Sequence, residues 1–463
     1  MTEDLIKVIG VDSSTQSVKV VVRNARTGQL LASASKPHPH GTEVDPEAWW
    51  VALNAAIDEV GGLSGISAIS IAGQQHGMVV LDENGSVIRP ALLWNDTRSA
   101  QAAADLNREF PTIEKLVGSK LVASFTASKL RWLKENEPEN AARVRAVALP
   151  HDWLSWRLSG SSDLKDLFTD RSDASGTGYF DPVTNTYNME IIEASLGHRN
   201  VILPRIIAPN EFGYKSQTLN IAAGAGDNAG GALGVGAKLG DLVISLGTSG
   251  TAFVISSTPT HDPSGEVAGF ADTTGNFLPL ACTLNAAKVF DTTAKLLNIS
   301  YDRMSELALS AEPGAGGLTF LPHLDGERTP NRPDAQGVIT GITHANFTPE
   351  NIARAAIEGV VASMAYATQA LTKLGVSFDR IILIGGGSRN PAVVKIATEI
   401  FDHDLFLPPV GEYVADGAAR QAAWAHFGTE SAPEWDLAPF EQVAVTTRSP
   451  EVRQRYIDAI AAI

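Results

Sequence analysis

One pattern occurs twice in this chain and limits the available folds more than any other feature. Near the start, LIKVIGVDSSTQSVKVVV is an apolar run ending at Asp12, then five small or polar residues, then a second β-branched run. That order reads as a strand, a tight turn and a returning strand. In the middle, DLVISLGTSGTAFVIS repeats it, with Leu246, Gly247, Thr248, Ser249, Gly250 and Thr251 as the turn. Setting Thr248 in the place of Thr15 puts the copies 248 − 15 = 233 residues apart, about half of the 463-residue chain. Repetition at that period predicts two lobes, residues 1–235 and 236–463, each built around one such hairpin.

Small residues let backbone N–H groups converge on an anion, and Ser and Thr hydroxyls add further donors. Ordinary hairpins also favour Gly and Ser in their turns. The repetition in register favours phosphate binding over that plainer reading. A third Gly-rich turn follows a strand in DRIILIGGGSRNP and leads into PAVVKIATEIF, where Pro391 suits the first helical position. No G-x-x-x-x-G-K-[ST] motif exists, so ATP binding by a P-loop is closed. A backbone surface for a purine face and a plain strand-to-helix turn both remain open for Gly385, Gly386 and Gly387.

The stretch GAGDNAGGALG, residues 224–234, satisfies G-x-G-x-x-A, yet the next acidic residue after Asp227 is Asp241, 241 − 226 = 15 positions past Gly226. A dinucleotide-binding turn needs its ribose-binding acid about 20 positions on. What remains is a lone carboxylate in a loop almost free of side chains. Asp227 or Asn228 is a helix N-cap, or Asp227 is a general base beside a substrate hydroxyl.

A net charge of -16 opposes nucleic-acid and anionic-membrane partners. The single Cys282 excludes an internal disulfide or a multi-thiolate metal site and suits a reducing compartment. MTEDLIKVIG carries acids where a signal peptide wants bases, and no run of 18 apolar residues occurs, so a cytoplasmic protein is expected. His38 and His40 read as loop residues without a metal site around them. TPENIARAAIEGVVASMAYATQALTKLG predicts a long helix with Thr348 as N-cap, Pro349 first and Gly375 closing it.

Many of these segments together resemble a carbohydrate kinase of the FGGY family, in the actin-like ATPase superfamily. GVDSSTQSVK is similar to the first phosphate motif, ISLGTSGT to the second and LIGGGSRNP to the adenosine motif. SFTASKLRWLKE and GVITGITHANFTPENIARAAIEG resemble the two family signature segments. QQHGMV, WNDTR, LPHDWLSWRLSG, TDRSDASGTGYFD and LPHLDGERTP are similar to the segments of members that act on xylulose. The resemblance implies an α/β fold of two actin-like (ribonuclease H-like) lobes with a nucleotide cleft between them. The first lobe would bind sugar and carry catalysis, and the second would bind nucleotide. ATP would be held by Ser14, Thr15, Gln16, Gly247, Thr248, Ser249, Gly385, Gly386, Gly387 and Asn390, with Mg²⁺ near Asp12.

Asp227 matches the family's catalytic aspartate and would take the proton of the sugar's terminal hydroxyl, yielding D-xylulose 5-phosphate. Gln75 and His76 at a strand end, Trp94 and Asp96 in WNDTR, and Asn228 are the implied sugar-binding residues, with Arg98 holding Asp96. Small-molecule sugar and ATP are the expected partners, and a homodimer stays open. Two departures stand out: the first turn reads Ser13-Ser14-Thr15-Gln16 where many relatives have a Gly-Thr core, and Gln75 stands where many have Met. Another pentulose or polyol (ribulose, L-xylulose), an actin-like ATPase with a non-sugar output, and a silent sugar sensor are the competing readings.

Overall fold

The structure, a computed structural model, describes residues 5–436 and 438–462. The first hairpin forms as its pattern predicts. β1 (Lys7–Ser13) pairs antiparallel with β2 (Ser17–Asn24), Ser13 opposite Val18, leaving Ser14, Thr15 and Gln16 as the turn. β3 (Leu30–Pro37) continues the antiparallel run, while β4 (Ile66–Gly73) lies parallel to β1 on its other side. β5 (Phe212–Lys215) and β6 (Asn220–Ala222) complete the order β5-β6-β4-β1-β2-β3, and the short β7 (Ala225–Gly226) pairs with the end of β4. β1 is buried almost throughout because it is central, which is why its sequence is a continuous apolar run and not an alternating one.

The second hairpin repeats this core. β8 (Asp241–Leu246) pairs antiparallel with β9 (Gly250–Val254) and parallel with β12 (Arg380–Ile384). With β10 (Val267–Ala271), β11 (Phe277–Thr283), β13 (Leu405–Leu407) and β14 (Glu441–Val443), the order is β10-β11-β9-β8-β12-β13-β14. The long helix runs Pro349–Lys373 with Thr348 capping the Asn351 N–H, and it is buried on nearly every face. Its Val360, Met364 and Leu371 join β8 and β9 in one apolar core.

The chain divides into two compact units. The first gathers the chain up to Ala237 together with Gly269–Leu278 and a late segment that begins at Val410. A single cut between residues 235 and 236 therefore differs from the observed division. The reason is the helix Tyr413–Phe427, whose small residues lie on β1 so closely that a Cβ at Gly10 would fall 1.9 Å from the Ala415 carbonyl oxygen. Two ion pairs spanning 393 residues, Lys19 to Glu412 at 2.5 Å and Arg23 to Asp416 at 2.6 Å, tie the same helix to β2. Among the described residues no helix is long and apolar enough to cross a membrane.

Candidate active site

Asp12 is the last residue but one of β1, with its side chain buried. Oδ2 faces the Ser14 hydroxyl at 3.5 Å, and among the described residues Oδ1 has no hydrogen-bond partner. Burial lifts this carboxyl to about 7; Lys19 opposes the shift, and the charges of Asp227 and Glu412 add to it. An orphaned, buried carboxylate oxygen among like charges suits a hard divalent cation, which would supply the missing partner and the missing charge.

The turn after Asp12 is locked by side chains from elsewhere in the first unit. The Thr15 hydroxyl accepts from Trp94 Nε1 at 2.8 Å and donates to Gln74 Oε1 at 3.3 Å. His38 Nδ1 sits 2.8 Å from the Ser14 carbonyl, and the His38 backbone N–H donates to the Gln16 carbonyl. His38 is thus a loop residue, as expected, but a buried one that braces the turn, while His40 is exposed. Gln16 points outward and Ser14 is half-buried.

β4 delivers the polar residues that follow it. Gln75 is buried and donates to the Ser172 carbonyl at 3.3 Å. His76 adopts φ 70°, a left-handed backbone that costs a non-glycine residue about 1–3 kcal/mol. Its Nδ1 lies 2.5 Å from the Gly176 carbonyl, and its ring meets Phe125 edge-on at 4.8 Å. Trp94 is half-buried and directed to Thr15 by its indole N–H, so it belongs with the first turn. Asp96 is committed to protein partners: Oδ1 accepts from the Arg98 backbone and Nε, and Oδ2 from Thr42 Oγ1 at 2.8 Å. Burial raises its pKa, but these bonds and the Arg98 charge outweigh that and hold it below the usual carboxylate range.

Asp227 is the first residue of the helix Asp227–Gly234, and Gly226 occupies the cap position without a side-chain bond. The alternative of Asp227 or Asn228 as N-cap is thereby excluded. Asp227 Oδ1 accepts from the Asn228 backbone N–H at 2.8 Å and from Asn228 Nδ2 at 3.0 Å. Desolvation raises its pKa to about 6, against those bonds. The glycines around it serve close approach. A Cβ at Gly234 would lie 1.9 Å from the Tyr413 carbonyl oxygen, and one at Gly417 would lie 1.8 Å from that of Gly230.

In the second unit, the turn Gly247, Thr248, Ser249 is held through its backbone: the Gly247 N–H donates to the Ser249 carbonyl, and Ala286 and Ala287 donate to the Thr248 and Gly247 carbonyls. Thr248 is exposed. The triple glycine lies beside it. Gly385 has φ 90°, and a Cβ there or at Gly387 would press on Leu246 at 2.6 and 2.9 Å, whereas Gly386 faces open space. Asn390 caps the helix Pro391–Phe401, its Oδ1 accepting from Ala392, Val393 and the Ser305 hydroxyl.

Sequence reasoning missed Gln74, His38, Glu412 and His151. The doublet Gln74-Gln75 carried a signal, since adjacent strand-end residues face opposite sides of a sheet. His151 is fully buried, with Nδ1 2.5 Å from Asp173 and Nε2 3.3 Å from Asp152. Burial disfavours its charge, but the two aspartates prevail and raise it to about 10. It packs directly behind Gly73 and Gly224, the residues that precede the two site segments.

Two sheets with the same hairpin core, a buried carboxylate beside one turn and a second carboxylate opening a glycine-lined helix are the features of a phosphotransferase family. Residues 7–237 match the FGGY family of carbohydrate kinases, N-terminal domain, and residues 242–426 its C-terminal domain. The chain belongs to the FGGY family of carbohydrate kinases, with the α/β, actin-like two-lobe architecture of that family, and acts with ATP on a sugar. It is 42% identical over 453 residues to the xylulose kinase of Streptomyces coelicolor, covering 93% of this chain and 91% of that protein. It is 40% identical over 476 residues to the xylulose kinase of Streptomyces rubiginosus, covering 97% and 94%. The crystal structure of xylulose kinase from Bifidobacterium adolescentis superposes with a TM-score of 0.90 at 43% identity, over 98% of this chain and 99% of that one.

Proposed function

We propose that this chain transfers the γ-phosphoryl group of ATP to D-xylulose, giving D-xylulose 5-phosphate and ADP. One observation carries the chemistry: Ser172 holds the proposed sugar side and the proposed base together. Its hydroxyl accepts from the Gly226 N–H, next to Asp227, at 3.1 Å, and its carbonyl accepts from Gln75. Gly226 and Gln75 are so close that a Cβ at Gly226 would fall 2.7 Å from Gln75 Nε2. Gln75 and His76 orient the ketose, with Asn228 keeping Asp227 in place. Trp94 and Asp96 act one step back, Trp94 by bracing Thr15 and Asp96 by holding Arg98.

Asp227 accepts the proton of the attacking hydroxyl as the new O–P bond forms and the bond to ADP breaks. A carboxylate with its pKa raised to about 6 is ionised at neutral pH and still basic enough for that task. Asp12 would hold Mg²⁺, which when bound neutralises phosphate charge. Thr15, Gln16, Thr248 and Ser249 supply donors to the phosphates, while Ser14 and Gly247, whose N–H groups bond to Ser17 and Ser249, shape the two turns that present them. Gly386, flanked by Gly385 and Gly387, offers an open backbone face to adenosine, and Asn390 shapes that turn as a helix cap. The first unit is then the sugar and catalytic domain and the second the nucleotide domain. A lone thiol, Cys282, supports a cytoplasmic location.

The test is ADP formation with MgATP and D-xylulose, D-ribulose, L-ribulose, L-xylulose, glycerol or gluconate. D-Xylulose is expected to give the highest kcat/KM, and Asp227→Asn to lower kcat by about 10³-fold or more. Equal ATP turnover with and without every sugar refutes the proposal.

A further inference from the structure

Lys129 lies on the helix Thr126–Asn136, within the signature segment to which neither the fold nor the chemistry above gives a task. Its side chain is 0% exposed. Among the described residues no carboxylate lies within ion-pair distance of Nζ. A buried ammonium without a counter-ion opposes folding, so a lysine kept there is expected to return something other than stability.

Its hydrogen bonds say what that is. Nζ donates to the His76 carbonyl at 3.0 Å and to the Ser124 carbonyl. The His76 carbonyl also accepts from the Thr126 hydroxyl at 3.2 Å, so one helix start supplies two donors to a single peptide oxygen. That oxygen belongs to the residue with φ 70°. A left-handed non-glycine residue persists only where its surroundings over-determine it. The ring is fixed separately, by Gly176 and by Phe125, the residue just before Thr126. Burial also lowers the lysine pKa to about 7, with the Asp96 charge opposing; both protonation states donate hydrogen bonds.

We infer that Lys129 is a positioning residue for the sugar: it holds the strained His76 peptide in the orientation that presents the imidazole to the ketose. The inference rests on the proposed sugar-binding role of His76. It assigns Lys129 no contact with substrate and no proton transfer. Thr126 is its weaker partner in the same task.

The experiment measures KM for D-xylulose, KM for ATP, and Tm in the wild type, Lys129→Met and Thr126→Val. Methionine keeps an unbranched apolar stem one atom shorter than lysine and removes the donors and the charge. Lys129→Met is expected to raise KM for D-xylulose by about tenfold or more, leave KM for ATP within about twofold, and leave Tm unchanged or higher. Thr126→Val is expected to raise the sugar KM by about threefold, again without moving the ATP value. It carries the test by itself if the methionine variant does not fold. An unchanged sugar KM in a folded variant overturns the inference alone. So does a parallel rise in both KM values with a lower Tm, which marks a merely structural lysine. Absence of sugar turnover in the wild type overturns the proposed function, and this inference with it.

Discussion

The two turns of the repeated hairpin share one local pattern and are held in opposite ways. The turn after β1 is clamped by side chains of Trp94, Gln74 and His38, which come from separate parts of the first unit. The turn after β8 is clamped by its own backbone and that of Ala286 and Ala287. The offset of 233 that aligns Thr15 with Thr248 aligns Asp12 with position 12 + 233 = 245, which is Ser245. At this position next to the turn only the first copy therefore carries a carboxylate; the second copy's buried Asp241 lies at the far end of β8 and is paired with Arg380. The two turns therefore differ in kind: one stands beside a buried carboxylate and is set by side chains around it, and the other is set by backbone bonds.

That contrast is most exposed to failure at its charged position. Asp12→Asn is expected to lower kcat by about 10³-fold at saturating Mg²⁺, while Ser245→Ala changes it by about threefold or less. Comparable losses in the two variants would erase the distinction. Acid comes next. In the proposed reaction Asp227 works as the carboxylate, and its raised pKa puts that form above about 6. kcat/KM should hold at higher pH and fall about tenfold per unit as the pH drops below that value. A flat profile down to pH 5 would remove Asp227 as the base.

The hydroxyls sharpen the contrast further. Thr15→Val breaks the bridge to Trp94 and Gln74 and should raise KM for ATP about tenfold, against about threefold or less for Thr248→Val. The reverse order would mean that the second turn is the side-chain-tuned one. The smallest effect is structural. Gly385→Ala combines a positive φ with a clash against Leu246 and should cost about 2 kcal/mol by denaturant unfolding, with Gly386→Ala within about 0.5 kcal/mol.

What could be read in the sequence was whatever the chain writes locally. Both hairpins and the Thr348-capped helix follow from spacing and turn chemistry, because neighbours in sequence settle them, and Asp227 stands out as a lone carboxylate among glycines although it opens a helix and does not sit in a loop. The supports did not show. His38 looks like any loop histidine until its ring is found on the Ser14 carbonyl, and Gln74 looks like the duller half of a doublet. Lys129 sits in a helix whose pattern gives no hint that an ammonium faces inward. His151 stands 22 residues from Asp173, and Lys19 stands 393 from Glu412. Contacts at such separations leave no period to detect. The single predicted boundary at 235 failed to capture the first unit for the same reason, since its closing helix arrives after nearly all of the second unit has been written.

That helix ties completion of the first unit to the last stage of translation. When a ribosome has released the first 237 residues, the face of β1 at Gly10 and the glycine edge at Gly230 and Gly234 still lack the backbone that fills them. They stay open until residues beyond 413 emerge, and the second unit, which takes in Ala438–Ile463, is completed only after that, so neither unit can close before nearly the whole chain is made. Any stop codon short of that helix therefore disables both halves, one by deletion and the other by leaving its core unsealed.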